Sequence, residues 1–331
     1  MMNTDLPALA PQEEKQLAVI GVETLPALVQ RAGPRGWRAF LNFFGASIEN
    51  ENTRVAYLRA VCEFLDECEQ SGLAQLADIE PFIVGAYVKH LQKARGLSKP
   101  SVKLKLAALR KFFDHLVVDQ VIPTSPAHAV RGPKVQSGKG KARVLTREEL
   151  QQLLDSIDRG TLVGKRDYAW LTLAASSWCR VSALGRLTLK DYQHSGKRSF
   201  ISIEEKGGKR DRMPVHHKAQ EALDQYLQAA AIEAADSPIF QSMTREGELS
   251  GSGLGRSKVW EMVRRRARNA GVPESISCHS FRGTGITLFL QAGGKLERAQ
   301  VIAHHSDSRT TKVYDHSDDQ VTLEDIELVQ F

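Results

Sequence analysis

Apolar residues recur at helical spacing through residues 35–130 and again after residue 144. Residues 37–44 form an aromatic-rich amphipathic stretch that reads as a short helix. Val55, Leu58, Val61 and Leu65 share one face of a second helix, which Asn52 or Thr53 can cap and Gly72 ends near Ser71. A third helix is expected over 79–94, with Pro81 tolerated in its first turn and Gly96 as its stop. Ser98 or Ser101 opens a fourth, whose core face carries Leu104, Leu106, Leu109, Phe112, Phe113 and Leu116. Four helices with short connections predict a small bundle.

After residue 144 the pattern changes. Thr146-Arg-Glu-Glu149 has the spacing of a capping box ahead of a helix to Ile157. A strongly apolar helix is expected over 166–177, and further helices over 219–234, 257–270, 282–292 and 295–303. Residues 188–192, 200–204 and 212–215 alternate as short strands, and Gly207-Gly208 suits the turn between the last two. Residues 322–329 suit a short final helix. The class is therefore mainly α with a small antiparallel β-sheet. Four segments follow: a loose proline-interrupted arm over 1–34, a helical domain over 35–130, a Gly/Pro-containing basic linker over 131–143, and a second domain with its tail over 144–331.

Composition adds little to this division. The 331 residues carry a net charge of +6, so the clustering of cations matters more than their sum. Four cysteines make no CxxC pair and no zinc spacing, which points to a reduced, cytoplasmic setting. No apolar run is long enough to span a membrane, and no membrane partner is expected. Lys99, Lys103, Lys105 and Arg110 lie in a run (98–113) free of acids. Arg256, Lys258 and Arg264 belong to a second run opposed within it only by Glu261, and Lys134, Lys139 and Lys141 lie in the linker. Either run alone could be a solvated helix face. Together they predict a track of phosphate contacts on duplex DNA.

The candidate chemistry lies in a series of spaced residues. Arg180 follows the apolar segment ending Ser176-Ser-Trp-Cys, and Lys206 precedes Gly207-Gly208-Lys209-Arg210. His279 and Arg282 stand three apart in Cys278-His-Ser-Phe-Arg282, a spacing that shares a helix face. His305 stands nine residues before Tyr314 in His-Ser-Asp-Ser-Arg-Thr-Thr-Lys-Val-Tyr. Guanidinium groups match phosphate oxygens and stay charged. A phenol can attack phosphorus once a base takes its proton, and a second group must protonate the departing oxygen. No carboxylate cluster with metal-site spacing is evident, and neither metal nor cofactor is expected.

In this order the residues resemble the active site of the tyrosine recombinases, the phage integrase family. The resemblance covers roughly residues 35–320. It implies a two-domain clamp around duplex DNA, with Tyr314 as nucleophile and Arg180, Arg282, His279 and His305 on the scissile phosphate. Lys206 on the hairpin would protonate the departing 5′ oxygen, with Lys209 as its rival. The resemblance also implies a 3′-phosphotyrosyl intermediate, a Holliday junction and a homotetramer on two DNA sites, serving integration, excision or resolution of a DNA element. It leaves room for accessory DNA-bending factors. A type IB topoisomerase-like enzyme and a non-catalytic DNA-binding regulator of the same fold are the alternatives. Two positions depart from the family pattern. Ala183 replaces the acid usual three residues after the first arginine, and His304 replaces the usual glycine, which makes His304 the fallback for His305. Cys179 and Cys278 adjoin Arg180 and His279. Buried thiols are the simpler reading, and oxidation-sensitive ones the sharper.

Overall fold

The computed structural model describes residues 17–134, 143–204, 210–304, 310–311 and 313–314. Lys139, Lys141, Lys206, Gly207-Gly208, Lys209, His305 and the expected helix over 322–329 lie outside the described residues. The chain divides into two compact units, Met1–Ser137 and Gly138–Phe331.

The first unit is helical, with α1 (Ala27–Arg31), α2 (Gly33–Gly45), α3 (Glu51–Gln70), α4 (Pro81–Lys93) and α5 (Lys99–Val118). The α3 cap is Asn50, whose side chain accepts from the Thr53 amide at 3.1 Å, so Asn52 and Thr53 lie inside the helix. Ser98 rather than Ser101 caps α5, accepting from the Ser101 amide. Phe40, Phe44, Phe64, Phe112 and Phe113 form a buried aromatic centre. Phe40 meets Phe112 edge-on at 5.9 Å, and Phe64 meets Phe113 edge-on at 6.0 Å. The expected loose arm needs correction over its described part. Leu17, Ile20, Leu25, Leu28 and Val29 are buried in this core, and Trp37 donates its indole N–H to the Gln30 carbonyl at 2.9 Å. Pro26 stands at the N-cap of α1, and Leu25, Leu28 and Val29 around it face the bundle.

The second unit begins with α6 (Arg147–Asp155), where Thr146 and Glu149 form the predicted capping box. It continues through α7 (Leu162–Ser177) and α8 (Val181–Gly185). The strand expected over 188–192 is largely a 3₁₀ turn, Leu189–Asp191, because Asp191 accepts from both the amide and the hydroxyl of Thr188. Three antiparallel strands follow in the order β1 (Tyr192–Ser195), β2 (Arg198–Glu204) and β3 (Arg210–Pro214). Tyr192 faces Ile201, and Ile203 faces Asp211. After α9 (His217–Ala230) come a two-stranded ladder, β4 (Gln241–Met243) with β5 (Leu249–Gly253), then α10 (Arg256–Asn269), α11 (Cys278–Gln291) and α12 (Leu296–Ile302).

α7 is buried almost all round, and Trp170 meets Phe281 of α11 edge-on at 6.3 Å. The start of the unit is tied to the same helix, since the Leu145 amide donates to the Thr284 hydroxyl at 2.9 Å. Close approach of α7 to α11 depends on Gly285. A Cβ there would stand 2.2 Å from the Ala175 carbonyl oxygen and 2.1 Å from the Trp178 indole nitrogen. A fully buried carboxylate, Asp167, joins α7 to α10. It accepts from Arg166 at 2.7 Å, from Arg265 at 2.9 Å and from Arg266 at 2.8 Å.

Candidate active site

α7 ends at Trp178, which takes a left-handed conformation with φ 56°. The reversal places Arg180 in extended geometry at the head of α8. α11 starts a turn earlier than the pattern suggested. Ser277 and Ser280 close a reciprocal cap, so His279 and Arg282 fall on one helix three residues apart.

Arg180 and His279 line one cavity of about 720 Å³ with Cys179, Cys278, Arg256, Ser257 and Trp260. Arg282 is 2% exposed. Its Nη1 donates to the Trp178 carbonyl at 2.5 Å and its Nη2 to the Ala303 carbonyl. Two main-chain oxygens, one after α7 and one after α12, therefore set the guanidinium plane. The Tyr314 hydroxyl lies 3.4 Å from His279 Nε2. That contact is long for a hydrogen bond, as catalytic contacts often are before substrate binds.

His279 is exposed, yet protein surrounds much of its ring. Loss of hydration, then the charges of Arg282 and Arg180, hold its pKa below the usual histidine value. Burial raises the Tyr314 pKa, which Arg282 partly offsets. The pair is therefore a neutral imidazole facing a protonated phenol, the right states for moving the phenolic proton to the ring. Protonating His279 removes the acceptor. The acid limb of single-turnover DNA cleavage should have its midpoint below 6.5, the ordinary histidine value. An acid limb centred at or above that value would contradict this assignment.

The Tyr314 ring packs on Gly283, whose missing Cβ would stand 2.9 Å from the ring's Cε1 and 3.3 Å from Val144. Gly283→Ala should displace the phenol from His279. Cleavage would slow about 10- to 100-fold, since a misplacement of about 1 Å costs that much, while DNA affinity stays unchanged. Wild-type cleavage by this variant would show that the ring's seat is not set here.

The structure thus brings Arg180, His279, Arg282 and Tyr314 together, while Lys206 and His305 lie outside the described residues. His304 takes the left-handed conformation (φ 49°) that explains the family's glycine at this position. Its Nδ1 pairs with Asp211 of β3 at 3.1 Å. Ala183 borders a small cavity of about 50 Å³ that Glu204 and Arg210 also line. Burial pushes the Cys278 thiol up in pKa, which favours its protonated form; Cys179 is buried and Cys278 half-buried beside the same cavity.

Three of the predicted phosphate ligands are engaged within the protein. Lys105 pairs with Glu63 of α3 at 2.5 Å. Arg110 donates to the Ala127 and Val130 carbonyls. Arg264 pairs with Glu274 at 3.2 Å and stacks on Trp260 at 4.8 Å. Each partner lies outside the basic run in which these cations were counted, save Trp260, which carries no charge. Lys258 pairs with Glu261 at 3.0 Å, though both remain exposed. Among the described residues, no carboxylate pairs with Lys99, Lys103, Lys134 or Arg256, and all four are exposed.

Comparison with known proteins agrees with this geometry. The Phage integrase family matches residues 143–321, and its N-terminal SAM-like domain matches residues 40–122. The chain belongs to the phage integrase family, the tyrosine recombinases. It is 30% identical to tyrosine recombinase XerC of Thermodesulfovibrio yellowstonii, over 79% of this chain and 85% of that one. It is 28% identical to tyrosine recombinase XerD of Listeria monocytogenes serovar 1/2a, over 80% and 88%. The fold is shared with the XerH recombinase bound to its difH substrate, at TM-score 0.63 and 18% identity over 95% of this chain and 96% of that one. It is also shared with a lambda integrase dimer bound to a COC' core site, at TM-score 0.66 and 18% identity over 96% and 85%.

Proposed function

We propose that this tyrosine recombinase cuts and rejoins DNA at a specific site through Tyr314. The observation that carries the assignment is the Tyr314 hydroxyl against His279 Nε2, with Arg180 and Arg282 close enough to depress that histidine. The phenolic oxygen attacks the scissile phosphorus as its proton passes to His279. The bond from phosphorus to the 5′ oxygen breaks, and that oxygen takes a proton from an acid, for which Lys206 is the candidate and Lys209 its rival. Arg180 and Arg282 stabilise the charge that develops on the non-bridging oxygens, and His305 adds a donor. The product is a 3′-phosphotyrosine and a free 5′ hydroxyl. Attack by a 5′ hydroxyl from a second duplex reverses the step, so exchange proceeds through a Holliday junction without ATP.

Lys99, Lys103, Lys134, Arg256 and Lys258 are the phosphate ligands this reading retains, with Lys139 and Lys141 from the linker. Dimers on DNA among proteins of this fold support assembly on a recombination site, and a homotetramer on two sites completes the exchange. Work on chromosomal or element DNA places the protein in the cytoplasm. Among the described residues no helix is long and apolar enough to cross a membrane.

The test is a supercoiled plasmid carrying two copies of a site selected by binding to the purified protein. Excised circles are the expected product. Relaxed topoisomers without exchange would favour the topoisomerase-like alternative, and binding without cleavage the regulator.

A further inference from the structure

Four non-glycine residues among those described have positive φ: Gln120, Trp178, Ala231 and His304. Two of them bracket Arg282. Trp178 supplies one of the carbonyls that grip the guanidinium, and His304 directly follows Ala303, which supplies the other. The left-handed conformation is strained for an L-residue, so local contacts must hold His304 in that state. The His304 amide closes the end of α12 on the Val301 carbonyl at 3.0 Å, and its side chain reaches Asp211 on β3, 3.1 Å from Nδ1. His304 Nε2 is buried with no hydrogen-bond partner among the described residues. Nδ1 is thus the ring nitrogen that faces the Asp211 carboxylate. Ala303 is itself fully buried beside Tyr314 and Trp178.

We propose that Asp211 and His304 form a positioning pair that sets the plane of Arg282 through the Ala303 carbonyl. The inference rests on Arg282 acting on the scissile phosphate. The β-sheet edge thereby supports the phosphate-binding group through one side-chain contact and one turn. Glycine would make the turn without strain but would leave it unanchored to β3. Here the turn is anchored, and the conformational cost of a histidine is offset by the Asp211 contact. Neither Asp211 nor His304 touches substrate in this account.

The test is single-turnover cleavage of a nicked duplex carrying the selected site, at saturating DNA, by the full-length protein. Wild type and Tyr314→Phe are compared with Asp211→Ala, His304→Ala, the double variant, Asp211→Asn and His304→Asn. Both alanine variants should cleave about 10- to 100-fold more slowly, with DNA affinity and melting temperature unchanged. The double variant should be no slower than the slower single, since one contact is lost in each. In His304→Asn the new side chain tolerates the left-handed state and its amide can donate to Asp211, and in Asp211→Asn the amide oxygen can still accept. Both asparagine variants should therefore retain cleavage within about threefold of wild type. Wild-type rates in the alanine variants would overturn the proposal. So would slowing matched by lost affinity or lower melting temperature, or a double variant in which the two losses multiply. If wild type itself forms no Tyr314-dependent adduct, the catalytic reading falls, and this inference with it.

Discussion

Tyr314→Phe should abolish covalent adduct formation while leaving DNA affinity unchanged. The substitution removes one oxygen from a residue that is 6% exposed and seated on Gly283, so the packing survives and the nucleophile does not. Loss of the nucleophile in a site of this kind typically costs several orders of magnitude in rate. The Tyr314→Phe variant should also release His279 from its 3.4 Å contact without altering the arginine charges around it. Cleavage measured on a nicked duplex, where departure of a short strand traps the adduct, should drop below detection. A variant that still forms adduct at a measurable rate would place the nucleophile elsewhere.

The largest expected effect on stability comes from Asp167. This fully buried carboxylate accepts from Arg166, Arg265 and Arg266, and through them joins α7 to α10. Arg166 is 4% exposed and also donates to the Gln241 carbonyl at 2.9 Å, so its charge cannot reach solvent without disturbing β4. Asp167→Ala leaves buried guanidinium charge uncompensated, which costs about 3–5 kcal/mol. In a unit of this size that corresponds to a fall in melting temperature of about 10 °C. Asp167→Asn keeps an acceptor of the same shape and should fall between the alanine variant and wild type. A shift of less than about 1 kcal/mol for Asp167→Ala would mean that this network stabilises the unit no more than a surface ion pair does.

The helices were largely legible in the sequence because their apolar spacing and caps are local. Thr146 and Glu149 close the expected box, and α5 starts where Ser98 allows. Non-local features were not legible. β4 and β5 read Gln-Ser-Met and Leu-Ser-Gly-Ser-Gly, with no alternation to mark them, and they exist because they pair with each other. The basic runs looked unopposed because their acids come from elsewhere in the chain. Glu63 lies 42 residues from Lys105, and Asp167 lies 98 residues from Arg265. The burial of Leu17, Ile20, Leu25, Leu28 and Val29 was masked by prolines that read as marks of a loose arm.

The candidate site was legible through its resemblance to a family and less so through spacing alone. His279 and Arg282 share a helix face by their separation, but no local rule connects them with Tyr314 or Arg180. The role of the glycines after Arg282 was also hidden. Gly283 makes room for the Tyr314 ring and Gly285 for Trp178, which only the packed structure reveals. His304 shows the same limit. A histidine in place of glycine reads as a departure, whereas the structure gives it the glycine's conformation and a partner on β3.

The central claim is that Tyr314 becomes covalently joined to DNA. The most direct measurement traps the adduct on a nicked duplex, digests protein and DNA, and maps the nucleotide-bearing peptide by mass spectrometry. The account predicts a nucleotide joined through its 3′ phosphate to Tyr314, with a free 5′ hydroxyl on the released strand. A nucleotide on any other residue, or a phosphate left on the 5′ end, would contradict it.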